Sequence, residues 1–568
     1  MVVFSYLLEK LFENRRYTDS FLSTFDAFDA SEQMLDSDAF CASLHRIHED
    51  PSRPLVVFYP DFDMDGIMSG VVGFAGLAEL GFNVVLYVPD PSDGYGFDAS
   101  LIDKVMAAYP SAKVLITADT GVTCVDGVAR AKELGLEVLV TDHHKPGAVL
   151  PDADIVVDPM RQDDPYTMPY VCGANVIYML LQQYASMYCG NETRSQIQRL
   201  RVFAGIGTIS DSMPLLYLNR ELVRNAVSIC RLVYADGQEY VVSNMQGCDV
   251  YRSAFYGLWT VLRAFADAGK ISSKHDIDES FFGYYLAPMF NSVKRMTGDM
   301  TKAFGAFFSV DKQDCVDYLY TLNEERKLVV TEYLSELERT ANPMAPYIYL
   351  TDAPAGVAGL LATQLMDQTK GPCLVLNQND DGSLSGSGRS PAWYPFLTQL
   401  QNCGFPCLAA GHEGAFGIKF FDRASLDAYF SMVQTDLVEQ LKDVDLEQFQ
   451  FRPDFVIDTS GNGDVGIDIV SFLEFLDEVE RYKPFGVAFE EPHILLRFRP
   501  EEATWQVLGS MKQHLKMVLP YGFEVLVWNA ADEIVRKDSS EPVVLQGRLG
   551  INHFRGNETV QFVGSFAS

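Results

Sequence analysis

The chain has 568 residues, 48% of them hydrophobic, and a formal net charge of −33. Its length exceeds what one core supports and predicts three or four domains. The charge excludes a generally basic nucleic-acid-binding surface but leaves room for a polyanion met along a narrow basic track or at a site where divalent cations offset the acidity.

Residues 1 to about 50 read as helical, with Leu7, Leu8, Leu11 and Phe12 on one face, and are expected to pack on the first domain. Leu55 to Tyr59 then reads as a buried parallel strand. It is followed by Asp61, Asp63 and Asp65 at alternate positions, and Gly66 opens an apolar helical pattern. Carboxylates crowded at a strand's carboxyl end are costly unless a multivalent cation neutralises them, and this edge is where open α/β sheets bind ligands. An EF-hand is excluded, because its loop needs a preceding helix and a Glu at the twelfth position, which here is Val72.

Short β-rich runs at Val84–Val88, Val114–Thr117 and Val138–Val140 alternate with helical stretches, which predicts a parallel sheet with right-handed crossovers. Two of these runs lead into Ala118-Asp119-Thr120-Gly121 and Thr141-Asp142-His143-His144, so further Asp and His groups fall at the same edge. Asp158, before Pro159, is readable either as a ligand or as a turn residue. Gly173 to Leu181 reads as a core helix, and GIGTISDSMP closes another apolar helix at Asp211. The 10 cysteines are scattered, and the closest pair, Cys403 and Cys407, has no neighbouring His or Cys to complete a zinc set. Reduced thiols, the lack of a signal-peptide pattern and the lack of a bilayer-length apolar run lead to the expectation of a cytoplasmic protein with no membrane partner.

The motifs DFDMDG at 61–66, ADTG at 118–121, TDHH at 141–144, GTISDSMPL at 207–215, NREL at 219–222, APMFN at 287–291 and LNEERK at 322–327 resemble, in this order, the DHH phosphoesterase family. In detail they resemble its RecJ branch, the single-strand-specific exonucleases. The fold implied is α/β: a parallel-sheet DHH domain joined by a long helix to a second α/β DHH-associated domain, plus a C-terminal β-barrel of the OB-fold type. The expected boundaries are 1–225 for the helical extension with the catalytic domain, 226–340 for a helical region with the connecting helix (Val316 to Thr340), 341–448 for the associated domain and 449–568 for the barrel.

In the associated domain SGSGRS at 385–390 and AAGHEGAFG at 409–417 combine Gly-rich turns with a cation. Ser387, Gly388, Arg389, Ser390, Gly411 and His412 are therefore the candidate phosphate contacts. Near the carboxyl terminus Lys512, His514, Lys516, Arg548, His553 and Arg555 interleave with Phe554 and Phe562, and as a group they are expected to hold a single strand by stacking and ionic contact.

The resemblance implies two metal ions held by Asp61, Asp63, Asp65, Asp119, His143 and Asp211, with Asp119, Asp142 and His144 in the catalytic machinery and His144 facing the scissile phosphate. Mixed imidazole and carboxylate ligands suit Mn²⁺ better than Mg²⁺, although Mg²⁺ remains an alternative. It also implies a monomer degrading single-stranded DNA from 5′ to 3′ to mononucleotides, with RNA as a further substrate and a single-strand-binding protein or helicase as partner. The rival readings are an oligoribonucleotide or cyclic-dinucleotide phosphodiesterase and a non-catalytic nucleic-acid scaffold. The sequence departs from the family pattern at Val293, Lys294, Arg295 and Met296, which leaves open an arginine displaced by one position, and at Pro91, where an Arg is common.

Overall fold

The computed structural model describes residues 5–16, 34–90, 94, 96–168, 170–339, 347–443, 452–509, 512–554 and 557–566. Pro91, Arg555 and the expected boundaries near 340 and 448 lie outside them. The chain divides into two compact units.

The larger unit holds two sheets. In the first, β1 (Leu55–Pro60), β2 (Val84–Leu86), β3 (Ala112–Ala118), β4 (Glu137–Thr141) and β5 (Ile155–Val157) lie in the order β2-β1-β3-β4-β5, all parallel. Val56 to Pro60 are all buried, as a strand covered by helices on both faces must be. This order reverses direction between β1 and β3, and the crevice at the carboxyl ends of those two strands is the expected ligand position. The helix Met64–Glu79 leaves β1 with its first thirteen residues almost wholly buried, and the Asp63 side chain caps it by accepting the N–H groups of Asp65 and Gly66.

A helical region follows, ending in the 28-residue helix Lys312–Arg339, which spans the expected connecting helix from Val316 as far as Arg339, Thr340 lying outside the described residues. Its Val330 and Leu337 share a core with Val357, Leu361, Leu365 and Val375 of the second sheet's side. That sheet comprises β6 (Tyr347–Thr351), β7 (Cys373–Gln378), β8 (Leu384–Arg389), β9 (Cys407–His412) and β10 (Ala415–Phe420) in the order β6-β7-β8-β10-β9, antiparallel except for β6 with β7.

The smaller unit is a seven-stranded sheet with the order β11-β12-β16-β17-β15-β14-β13, formed by β11 (Phe455–Asp458), β12 (Ile494–Phe498), β13 (Thr504–Leu508), β14 (His514–Leu519), β15 (Phe523–Val527), β16 (Val543–Phe554) and β17 (Asn557–Phe566). Here the structure corrects the expected boundaries. The helix Tyr6–Asn14 does not pack on the first domain: Leu7, Leu8, Leu11 and Phe12 enter the core of this unit with Phe455, Phe472, Phe475 and Phe485. Arg15 pairs bidentately with Asp454 at 2.7 and 2.8 Å. Residues 214–224 also belong here. Fully buried Arg220 donates to the Tyr482, Lys483 and Pro484 carbonyls with its guanidinium 4.8 Å from the Phe489 ring. Helical periodicity shows that a face is apolar; it does not show which core, 440 residues away in sequence, that face will meet.

Candidate metal centre

Three aspartates are delivered by one device. Beyond the last residue of β1, β3 and β4 the ladder continues for one more bond: Asp61 N–H donates to Ala118 O, Asp119 N–H to Thr141 O and Asp142 N–H to Val157 O, at 3.0–3.1 Å. Each carboxylate is thus fixed at the sheet edge by its own backbone. Asp119 also has φ of +62°, a left-handed conformation that a non-glycine residue holds only where its surroundings enforce it.

Asp63 and Asp65 follow in the turn and first helical residues. Asp65 accepts the Gly173 and Ala174 N–H groups at 2.6 and 3.2 Å, at the amino end of the helix Gly173–Tyr188. Two glycines make room for this crowding. A Cβ at Gly173 would lie 2.6 Å from Asp119 Oδ1, and one at Gly207 would lie 2.5 Å from Asp65 Oδ1. Gly207 sits in the helix Arg201–Ser210, whose C-cap is Asp211.

His143 closes the centre. Its Nε2 lies 2.9 Å from Asp119 Oδ1, 3.6 Å from Asp211 Oδ2 and 3.8 Å from Asp65 Oδ2. Potential ligand atoms of Asp65, His143 and Asp211 lie within 4.8 Å of one another, and so do those of Asp61, Asp63 and Asp119; Asp119 also groups with His143 and His144. All six expected metal ligands are brought together.

The electrostatics of this edge fit a cation. Burial and the Asp63 charge raise the Asp61 pKa to about 7. Burial and the Asp65 charge raise Asp211 to about 8, and Asp65 and Asp119 are also pushed up, burial being the first cause in each. Burial holds the His143 imidazole below its ordinary value despite the carboxylates around it, so it stays neutral, the form that ligates metals. Asp119 Oδ1 is buried and, although 2.9 Å from His143 Nε2, has no properly aligned hydrogen bond. An orphaned carboxylate oxygen among like charges is costly unless a proton or a cation neutralises it. A donor set of carboxylate oxygens with one imidazole fits a divalent cation.

Asp142 has another task. Its oxygens accept the N–H groups of Val122, His143 and His144 and take the His144 Nδ1 at 2.8 Å. That bond leaves Nε2 as the nitrogen of His144 turned to other partners. Burial disfavours the charged imidazole of His144, but the hydrogen bond and charge of Asp142 prevail and bring its pKa to about 9. Asp158 has one oxygen on the Met160 N–H and the other buried without a hydrogen bond, and it joins none of the three ligand groups among the described residues.

The second sheet treats its six candidates unequally. Arg389 pairs with Ala415, which pairs with His412, so the two residues stand at one sheet end, two strand spacings or roughly 10 Å apart. Gly411 has φ of +138° in the hairpin that presents exposed His412. The others serve the fold or leave contact open. A Cβ at Gly388 would strike the Phe416 ring at 2.2 Å, and the Ser390 hydroxyl donates to the Tyr394 carbonyl at 2.7 Å, so neither is free for phosphate. Ser387 is half-buried on β8 and faces the helix Ala358–Thr369, its Oγ 3.4 Å from where a Gly359 Cβ would stand.

Three residues outside the expected ligand and contact sets, Asn291, Arg295 and Arg326, complete this region. Asn291 Oδ1 accepts the Met64 N–H at 2.9 Å. Arg295 lies within electrostatic reach of Arg326, Asp63 and Arg389, and its pKa is pushed down to about 10 by burial and by the two like charges. No ion pair to a carboxylate joins Arg295, Arg326 or Arg389 among the described residues, so three guanidiniums gather beside an acidic centre. The signal was present in APMFN and LNEERK, which read only as motif matches. Arg295, the arginine after APMFN, reaches this cluster.

The expected strand-binding group of the C-terminal unit is corrected. Phe562 is fully buried in the core, Lys516 is paired with Glu524, Arg548 with Glu491, and the His514 ring packs on Trp528. Lys512 stands in a left-handed turn just before β14, with no contact among the described residues that marks it for a strand. Arg555 and the side chains of His553 and Phe554 lie outside the described set. Among the described residues of 452–566, Trp528 and Tyr521 are exposed aromatics, at 56% and 84%. Alternation along the strand could have marked Phe562 as inward-facing.

Residues 55–206 match the DHH family, N-terminal domain, and residues 468–564 match the RecJ OB domain. The single-stranded-DNA-specific exonuclease RecJ of Salmonella typhimurium is 26% identical over 554 residues, covering 92% of this chain and 88% of that protein. The Bacillus subtilis protein of the same name is 26% identical over 476 residues, 82% of this chain and 54% of its own length, so this chain spans about half of that relative. The crystal structure of RecJ in complex with Mn²⁺ from Thermus thermophilus has the same fold, with a TM-score of 0.72 at 21% identity over 99% of this chain and 75% of that one. With both domains matched in order and the DHH motifs assembled at one sheet edge, the chain carries a stretch matching the DHH N-terminal domain followed by one matching the RecJ OB domain, and it is similar to RecJ exonucleases over most of its length.

Proposed function

We propose that this chain is a metal-dependent exonuclease of single-stranded DNA that uses two Mn²⁺ ions, works from 5′ to 3′ and releases mononucleotides. The observation that carries the reading is the meeting of seven Asp and His side chains at one sheet edge, with Asp119 Oδ1 buried and without an aligned hydrogen bond. Asp65, His143 and Asp211 would hold one ion, and Asp61, Asp63 and Asp119 the other. Ions bound there supply Lewis acidity and a water acidic enough to ionise near neutral pH. His144, kept protonated by Asp142, offers an N–H to a phosphate oxygen as negative charge grows on it. Arg295, Arg326 and Arg389 form the narrow basic track that the acidic composition left room for, and Arg389 with His412 would meet the strand end. A cytoplasmic monomer acting beside a single-strand-binding protein or a helicase belongs to the same reading, with RNA as a further substrate.

One observation favours a second reading. Two of the cations expected on the C-terminal unit, Lys516 and Arg548, are paired and Phe562 is buried, which suits a phosphodiesterase of short oligoribonucleotides or cyclic dinucleotides better than a long-strand enzyme. The deciding experiment incubates end-labelled single- and double-stranded DNA, RNA and dinucleotides with the protein and Mn²⁺, against an EDTA control. Stepwise loss of mononucleotides from the 5′ end of single-stranded DNA is expected. Cleavage confined to the shortest substrates supports the second reading, and equal cleavage with EDTA refutes both.

A further inference from the structure

Asp63 reaches the centre through one oxygen. Its Oδ1 accepts the N–H groups of Asp65 and Gly66 at 3.0 and 3.1 Å as the cap of the helix Met64–Glu79. Its Oδ2, the oxygen left to face a metal, lies 3.2 Å from Lys294 Nζ.

Its position is held from both ends. Lys294 stands in the last turn of the helix Ala287–Arg295, and Asn291 of that helix binds the Met64 N–H, next in sequence to Asp63. The ammonium also lies 5.8 Å from the centroid of the Phe62 ring. Beyond it Arg295, against whose backbone Gly356 packs closely, extends the positive charge toward Arg389. Lys294 is 30% exposed, so it can leave Asp63 for solvent or for an arriving phosphate without unpacking a core.

We propose that Lys294 is an internal cation that competes with a divalent ion for Asp63 Oδ2, and that it makes the Asp61/Asp63/Asp119 position bind metal more weakly than the Asp65/His143/Asp211 position. This rests on the metal-centre reading above. A unit charge a few ångströms from the ion opposes its binding directly, and in a partly solvated site the effect is about tenfold or more in affinity. The second position then fills only at a higher metal concentration, and the freed ammonium becomes available to substrate phosphate. Lys294 thus acts as a positioning and affinity-setting residue for one of the two ions.

The test counts bound Mn²⁺ on the full chain from the electron paramagnetic resonance signal of the free ion, for wild type, Lys294→Met and Lys294→Arg, with circular dichroism to check folding. Wild type should bind two ions of unequal affinity. Lys294→Met should tighten the weaker site about tenfold and the stronger, whose Asp211 also feels the Lys294 charge, by clearly less, while Lys294→Arg, which keeps a cation, should stay near wild type. A Lys294→Met protein with both affinities unchanged, or with the weaker site weakened further, overturns the competition while leaving the metal centre standing. Wild type that binds no Mn²⁺ refutes the metal centre itself, and the competition with it.

Discussion

The carboxyl edge of the first sheet and the glycine-rich end of the second sheet differ in what their motif residues cost the fold. At the first, five carboxylates and two imidazoles are packed within a few ångströms, and burial raises the pKa of four of the carboxylates. No requirement of packing explains that arrangement, because an apolar edge would be more stable. At the second, Gly388 makes space for Phe416 and Ser390 ties down a turn, so half of what looked like a phosphate loop is fold. Buried charge that the fold does not need is a stronger indication of a ligand than a pattern of small residues the fold can use.

The comparison is tested most severely at Asp119. Asp119→Ala should reduce hydrolysis by at least about 10²–10³-fold, the scale for losing one preorganised charge-stabilising group, while thermal unfolding stays near wild type. Near-normal turnover would remove the metal assignment. At the second sheet Arg389→Ala should raise KM for a single strand by an amount equivalent to about 1.5–3 kcal/mol, the range for a hydrogen bond to a charged group. Ser390→Ala should leave KM alone and instead cost about 1 kcal/mol of stability. Matched KM effects from both variants would mean that the two residues belong to one phosphate loop after all.

The C-terminal unit sharpens the contrast further. Deleting it is a poor probe, because the helix Tyr6–Asn14 and Arg220 would lose their partners. Trp528→Ala should instead weaken binding of long single strands by about 1–3 kcal/mol, the worth of one stacked base, and leave short oligonucleotides unaffected. Unchanged long-strand affinity would point to the short-substrate reading.

A smaller effect concerns pH. Asp61 and Asp211, with pKa values of about 7 and about 8 against an ordinary 3.8, hold protons in the folded chain that the unfolded chain has already released. Stability from these groups is therefore present at low pH and lost as pH rises from about 4 through about 8. Bound Mn²⁺ takes over the work of those protons, so the gain in Tm at saturating Mn²⁺ should be larger at about pH 8.5 than at about pH 6. An equal gain at both would separate the ions from these carboxylates.

The first sheet and its edge were legible in the sequence because period and chemistry agree there: β-branched runs end in Asp, and burial on both faces leaves no register to misassign. The long helix was legible for its length. What was hidden depends on contacts distant in sequence. Leu7 and Leu11 form an apolar face that suits either core, and Lys294 reaches Asp63 across 231 residues. Phe562 was misjudged because an aromatic beside cations resembles a stacking platform until the strand's inward face is known.

The central claim, that this sheet edge holds two divalent ions, is tested most directly by anomalous diffraction at the manganese edge from crystals grown with Mn²⁺. The account predicts two peaks, one among Asp65, His143 and Asp211 and the other among Asp61, Asp63 and Asp119. Peaks elsewhere on the molecule, with none at this edge, would contradict it.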